Sequence, residues 1–205
     1  MSGAPAGMGG APDTLDANGE PAPYVDDAAY ERLWALWREA CTHMAQGGSH
    51  GADAVARLLF EEARLLDERR YDDWLAKFLP RCLYWVPRRF EPADPRTETG
   101  IYLDDRRRLG DRVAMIRSGH LHAQTPPSRT RRMLSNIEHW TGPDGGLRAR
   151  ANMVIWEFRK GQMRSYAGSQ IYALAPDTRG CLAVQTKIVH LLDCDAPQGN
   201  YSFIL

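Results

Sequence analysis

Residues 131–192 read RRMLSNIEHWTGPDGGLRARANMVIWEFRKGQMRSYAGSQIYALAPDTRGCLAVQTKIVHLL. Along most of this stretch apolar and polar residues alternate with a period of two, the spacing of a strand with one buried face. Three interruptions carry turn chemistry: GPDGG at 142–146, the Lys160-Gly161 pair, and APDTRG at 175–180. They divide the stretch into four strands, Arg131 to Trp140, Leu147 to Arg159, Met163 to Leu174 and Cys181 to Leu192. Long alternating runs joined by short Gly-containing turns predict antiparallel hairpins.

Upstream the period changes to that of a helix. Asp26 and Asp27 are N-cap residues for a helix from Tyr30 to Gln46, with Leu33, Trp37, Ala40 and Met44 at helical spacing. Gly47 and Gly48 end it, and GGSHGA (47–52) is a linker. Asp53 caps a second helix that reaches about Arg70. Val55, Leu58, Leu59, Leu65 and Leu66 form its apolar stripe, and Glu61, Glu62, Arg64, Asp67 and Glu68 take the other faces. Asp72 caps a short third helix with Trp74, Leu75 and Phe78 inward, ended by Pro80. Cys82 to Phe90 reads as a strand broken near Pro87. After a loop at 91–100, Asp104 or Asp105 caps a fourth helix with Leu109, Val113 and Ile116 inward, ended by Gly119. Helices first and an antiparallel meander afterwards make an α+β fold, with the helices on one face of a strongly curved sheet. Three segments follow: a disordered Gly/Ala/Pro-rich extension (1–25), an extra N-terminal helix and linker (26–52), and a single domain (53–205).

The chain has 205 residues with 26 Lys+Arg and 26 Asp+Glu, so its formal charge is zero. Neutrality excludes a protein that wraps nucleic acid or sits on an anionic membrane, since both use a large basic excess. No apolar run approaches the ~20 residues of a membrane span. The charge is unevenly spread: residues 1–80 carry −7, residues 81–132 carry +6 and the remainder +1. Arg supplies nearly all the positive charge, with Lys only at 77, 160 and 187. Arg suits interfaces, because its planar fork binds carboxylates in two places and stacks on rings. Cys41, Cys82, Cys181 and Cys194 show neither C-x-x-C pairing nor zinc spacing and read as small hydrophobes in a reducing compartment. The N-terminus lacks a basic n-region and an apolar h-region, so it is not a secretory signal. The expected location is the cytoplasm.

Motifs that carry chemistry are few. His120 and His122 form an H-x-H pair that could share a metal, with Asp104, Asp105 or His139 as a further ligand. A loop leaving a helix accounts for both histidines without one. No phosphate-cradling glycine loop and no G-x-S-x-G elbow is present. The carboxylates Glu61, Glu62, Asp67 and Glu68 could work as acids or bases, yet on an amphipathic helix they read as a solvated or interface face. Ser128-Arg129-Thr130-Arg131-Arg132, after Pro126-Pro127, reads as a rigid turn feeding a strand of ion-pairing arginines.

Four runs, in order, carry a resemblance. EARLLDERRYDDWL (62–75) with YWVP (84–87), PPSRTRR (126–132) with SNI (135–137), KIVHLL (187–192), and NYSFIL (200–205) resemble the small (beta) subunits of aromatic-ring-hydroxylating dioxygenases. The resemblance spans about Val55 to Leu205. It implies a cone of the nuclear-transport-factor-2-like (NTF2-like), cystatin-like type. It also implies a partner in the bacterial cytoplasm: a large (alpha) subunit bearing a Rieske [2Fe–2S] cluster and a mononuclear Fe(II), joined with this chain in an α3β3 hexamer. An electron-transfer ferredoxin and reductase would act on that complex. This chain would then hold no cofactor or metal and would serve assembly, in the catabolism of aromatic compounds. A Rieske centre needs two Cys and two His, and no C-x-H…C-x-x-H run is present. Interface candidates are Arg69, Arg70, Arg129, Arg131, Arg132 and the tail Tyr201, Phe203 and Leu205. The competing reading is a self-sufficient isomerase or dehydratase on the same fold. Its pocket would use Tyr84 as oxyanion donor and Asp105, His120 and His122 as acid–base groups.

Overall fold

The computed structural model describes residues 25–43, 52–118, 126–197 and 201–205. Four helices, α1 (Asp27–Thr42), α2 (Ala52–Asp67), α3 (Tyr71–Leu75) and α4 (Arg106–Ser118), accompany six strands. The strands are β1 (Phe78–Val86), β2 (Tyr102–Asp105), β3 (Arg129–Thr141), β4 (Leu147–Arg159), β5 (Gln162–Pro176) and β6 (Leu182–Leu191). They form one open sheet in the order β2-β1-β6-β5-β4-β3, antiparallel throughout except for the β1–β6 pair.

The meander follows its turn chemistry. The β4–β5 hairpin closes on Lys160 and Gly161, both at positive φ (48° and 76°), the primed geometry that matches the twist of paired strands. Three devices bend the sheet. Asn136 sits at φ 49° inside β3, where the pairing with β4 slips between Ser135 and Glu138, a β-bulge. Gly168 in β5 lies so close under β6 that a Cβ there would stand 2.1 Å from the His190 carbonyl oxygen. Pro80, which has no N–H to donate, falls where β1 slips against β6 between Phe78 and Leu83.

Both faces of the sheet are covered, at least in part, and each carries its own core. Strand alternation sends Cys82, Tyr84 and Val86 of β1, with Tyr172, Leu174, Val189 and Leu191, to an inner face. There they pack against α2, α3, α4 and the buried Phe203, Ile204 and Leu205. The alternate residues Leu83, Trp85, Ile171, Ala173 and Ile188 form a second, outer core with Ala29, Leu33, Leu36 and Ala40 of α1. This corrects the expectation that all helices lie on one face. The β1 run LYWV is apolar on both sides and needs two covers, as strands buried on both faces do.

The caps separate the candidates. The Asp26 carboxylate accepts from Ala29 N at 2.7 Å and starts α1. Asp105, not Asp104, caps α4, accepting from Arg108 N at 2.8 Å. Asp53 and Asp72 lie inside the first turns of α2 and α3 rather than at the caps, where a negative charge still suits the helix dipole. α2 ends three residues earlier than expected, in a Schellman motif. Arg70 N donates to Leu65 O and Arg69 N to Leu66 O, with Arg69 at φ 58°. Phe78 and Pro80 belong to β1, not to α3, and β1 ends before Pro87. β2 was not expected at all. The expected helix end at Gln46, the linker glycines, Gly119 and the extension 1–24 lie outside the described residues.

Candidate functional site

The inner face is closed around a buried charge pair. Lys187 is fully buried, and its Nζ donates to Glu62 Oε1 at 2.7 Å. Trp74 Nε1 donates to the same oxygen at 2.9 Å. The Tyr172 hydroxyl lies 2.7 Å from Glu62 Oε2 and 2.6 Å from Gln170 Oε1. Burial alone would raise the Glu62 pKa, but the charge of Lys187 and these three donors outweigh it and hold the carboxyl below its ordinary value. Lys187 has a single anion beside it and two ring faces at 5.7 Å, Tyr84 and Tyr172, so burial dominates and lowers its pKa. Burial, with Glu62 nearby, also pushes both phenols well up, so they stay protonated. The Tyr84 hydroxyl donates to Leu205 O at 2.5 Å, which ties the tail into the cone.

The PPSRTRR segment divides its residues by strand alternation. Ser128, Thr130 and Arg132 point inward. Arg132 is clamped between Asp67 (2.5 Å), Thr130 and the Ile204 carbonyl oxygen, and its backbone N–H donates to Asp67 Oδ2 at 2.8 Å. Thr130 Oγ1 donates to Asp67 Oδ1 at 2.8 Å. Ser128 and Ser202 share Glu157 Oε1, at 2.5 and 2.9 Å, and Tyr166 donates to its Oε2 at 3.0 Å. The inward half of the segment therefore fastens α2 and the C-terminal tail to the sheet.

The outward half makes a surface. Arg129, Arg131 and Met133 of β3 lie opposite Phe158, Trp156 and Val154 of β4, and Phe158 lies opposite Met163 of β5. The Arg129 guanidinium stands 4.6 Å from the Phe158 ring centroid. Met163 is 64% exposed, Met133 52% and Trp156 39%, an unusual yield of large apolar side chains in water. At the other end of the same face, Arg148 and Arg150 point at α1. Glu39 accepts from Trp140 Nε1 at 2.6 Å and from Arg148 Nε at 3.4 Å, and Arg150 donates to Ala40 O at 2.9 Å.

The interface candidates thus fall into two groups. Arg69, Arg70, Arg129 and Arg131 are exposed, while Arg132, Phe203 and Leu205 are buried within this chain and Tyr201 is half-buried. Of the groups named for an isomerase pocket, Tyr84 and Asp105 do not meet. Tyr84 pairs with Asp104 across the β1–β2 ladder and Asp105 with Leu83, so Asp105 faces away from Tyr84. His120 and His122 lie outside the described residues. Among the described residues no group of three His, Cys, Asp or Glu could hold a metal ion, and no helix is long and apolar enough to cross a membrane. The four cysteines are free, Cys82 and Cys194 buried but Cys41 and Cys181 exposed, so only two serve as core hydrophobes. The solvated face expected of α2 proves to include the buried Glu62.

Comparison with known proteins agrees with this arrangement. A family described as the ring-hydroxylating beta subunit matches residues 61–196. The chain belongs to that family. The chain is 33% identical over 141 residues to the small subunit of 2-halobenzoate 1,2-dioxygenase of Burkholderia cepacia, covering 66% of this chain and 85% of that protein. It is 31% identical over 153 residues to the small oxygenase component of the p-cumate 2,3-dioxygenase system of Pseudomonas putida, covering 74% and 85%. Among solved structures, the beta subunit of benzoate 1,2-dioxygenase from Burkholderia mallei superposes with a TM-score of 0.60 at 25% identity, over 78% of this chain and all of that one. An NTF2-like protein with a cystatin-like fold from Novosphingobium aromaticivorans superposes at 0.51 and 13% identity, over 83% and 93%, and supports the fold alone. The helices on a curved, open sheet are the NTF2-like architecture that the sequence resemblance implied.

Proposed function

We propose that this chain is the assembly subunit of a Rieske-type aromatic-ring-hydroxylating oxygenase in the bacterial cytoplasm. It holds iron-bearing large subunits in register and takes no part in bond making. The Rieske cluster and the mononuclear iron belong to the large subunit in this reading, the complex is an α3β3 hexamer, and a ferredoxin and reductase supply its electrons. The substrate class is aromatic in this reading, as it is for the related 2-halobenzoate and p-cumate dioxygenases.

The observation that carries the reading is the bare end of the outer sheet face, where Arg129, Arg131, Met133, Trp156, Phe158 and Met163 share one surface. Aromatic residues, Met and Arg are the types enriched at protein interfaces, and Lys and Glu are depleted there. A second support is the inner face of the sheet. Phe203, Ile204 and Leu205 and the Glu62–Lys187 pair are packed there, and Tyr84 and Asp105, two of the groups named for a pocket enzyme, face opposite sides of the sheet.

Co-expression of the chain with the large subunit encoded beside it, followed by size-exclusion chromatography with light scattering, tests the proposal. The expected result is co-elution at the mass of a hexamer. A chain that folds yet never captures the large subunit contradicts it.

A further inference from the structure

We propose that the cavity beside β2 binds an uncharged aromatic molecule that carries a hydroxyl or N–H donor. The cavity measures about 860 Å³ and lies between β2, the outer flank of α4, residues 95–101 and the C-terminal tail. That size suits a small-molecule site, which typically spans ~300–1,000 Å³.

Its walls are aromatic and rigid. Tyr102 and Tyr201 stand with ring centroids 6.2 Å apart and Tyr201 and Phe203 6.3 Å apart, both pairs edge to face. Met115 and Ile116 of α4 line it as well, and Met115 leaves half of its surface in water. Arg112 lies 3.9 Å from the Tyr102 ring centroid and grips Asp104 through two nitrogens, at 2.7 and 2.8 Å. That guanidinium is committed, so it fixes the Tyr102 ring rather than inviting an anion.

The charges around the cavity cancel. Arg96, Arg108 and Arg112 are matched by Glu98, Asp104 and Asp111, so moving a net charge into it would forfeit hydration without return. Arg96 is held by Glu31 at 2.6 Å and by Asp94, and Glu98 accepts from Ala93 N at 2.7 Å. The hydroxyls of Tyr30, Thr99 and Tyr102 and the Asp111 carboxylate line it without a protein hydrogen bond among the described residues. All four accept a hydrogen bond, and the carboxylate can only accept, which favours a ligand with a donor on an apolar ring. The cavity is built from β2, α4 and the tail, away from the bare patch of β3–β5, so this inference goes beyond the assembly role.

Titration calorimetry of the full chain with 2-naphthol is the test. Saturable one-to-one binding is expected. Met115→Trp fills the cavity from an exposed position and should weaken binding at least about tenfold. Tyr102→Phe keeps the ring and its contact with Arg112 but loses the hydroxyl, and should weaken binding about fivefold. 2-Naphthoate, which presents a charge on the same rings, should bind at least about tenfold more weakly than 2-naphthol. Thermal melts of both variants check that the fold is intact. No saturable binding, equal binding by folded Met115→Trp, or naphthoate binding as tightly as naphthol would each overturn the proposal. The measurement uses the isolated chain, so its failure leaves the assembly role standing.

Discussion

The outer face of the sheet has two ends with opposite fates. At one end Leu83, Trp85, Ile171 and Ile188 lie under α1, and the arginines there, Arg148 and Arg150, reach back to groups of the same chain. At the other end Arg129 and Arg131 stand beside Met133, Trp156, Phe158 and Met163 with no helix above them among the described residues. Composition hardly differs between the ends, since both mix arginine with large apolar residues. What differs is the cover. Where the chain supplies its own helix, such a surface becomes core. Where it does not, the same residue types stay exposed, and in the proposed assembly they are the contact surface for another subunit. The bulge at Asn136 and the close approach at Gly168 fall between the two ends and bend the sheet there.

The most severe way to disturb this division is at the bend itself. Gly168→Ala sets a methyl 2.1 Å from the His190 carbonyl oxygen, backbone against backbone, and something must shift. The expected result is a chain that fails to fold, read as loss of soluble protein or of a cooperative melt. Next comes the covered end. Leu33 of α1 is fully buried against the sheet, and Leu33→Ala should cost about 2–5 kcal/mol in chemical denaturation of the isolated chain. Trp156→Ala at the bare end should change the same measurement by only about 0.5 kcal/mol. Equal losses at the two positions would abolish the distinction.

Assembly should show the reverse order. Arg131→Glu with Trp156→Glu should lower capture of the large subunit at least about tenfold, as truncated interface anchors do, while leaving the melt of the isolated chain in place. Leu33→Ala, compared at equal folded protein, should leave capture unchanged.

The smallest effect concerns pH and belongs to the covered end alone. His190 is packed by Trp37 of α1 (4.8 Å between centroids) and Phe90 (5.1 Å), and its Nε2 has no hydrogen-bond partner. Burial lowers its pKa, partly opposed by the carbonyls of Phe90 and Arg89. A folded-state pKa below the unfolded value of 6.5 means that the unfolded chain takes up the proton first. Stability should therefore fall as pH drops below about 6.5, until the folded-state pKa is passed. Amide exchange in α1 should quicken over that range and in β3–β4 it should not, and His190→Gln should remove the difference.

Much of this division was readable from particular residues. The period-two alternation of 131–192 announces β3 to β6, and its turns fix their limits to within two residues. The apolar run LYWV at 83–86 already signals a strand covered on both faces, the clue to α1 on the outer side. Glu62 was also visible in principle. It falls three and four residues from Leu59 and Leu58 and from Leu65 and Leu66, in the middle of the α2 stripe, where a carboxylate must be paired. Lys187, one of three lysines, shares its face of β6 with Val189 and Leu191. Neither residue names the other, because their pairing spans the α2–β6 packing. β2 escaped because Tyr102–Asp105 is four residues long, half acidic, and runs straight into a helix. The inward and outward division of PPSRTRR depends on the register of β3, which arginine spacing alone does not reveal.

The central claim, that the bare end is the assembly surface, is most directly tested by hydroxyl-radical footprinting of the isolated chain and of the assembled oxygenase. Met133, Trp156 and Met163 should oxidise readily in the isolated chain and be protected on assembly, with the half-buried Trp34 and Trp37 of α1 as internal references. Equal oxidation of the three residues in both states would contradict the account.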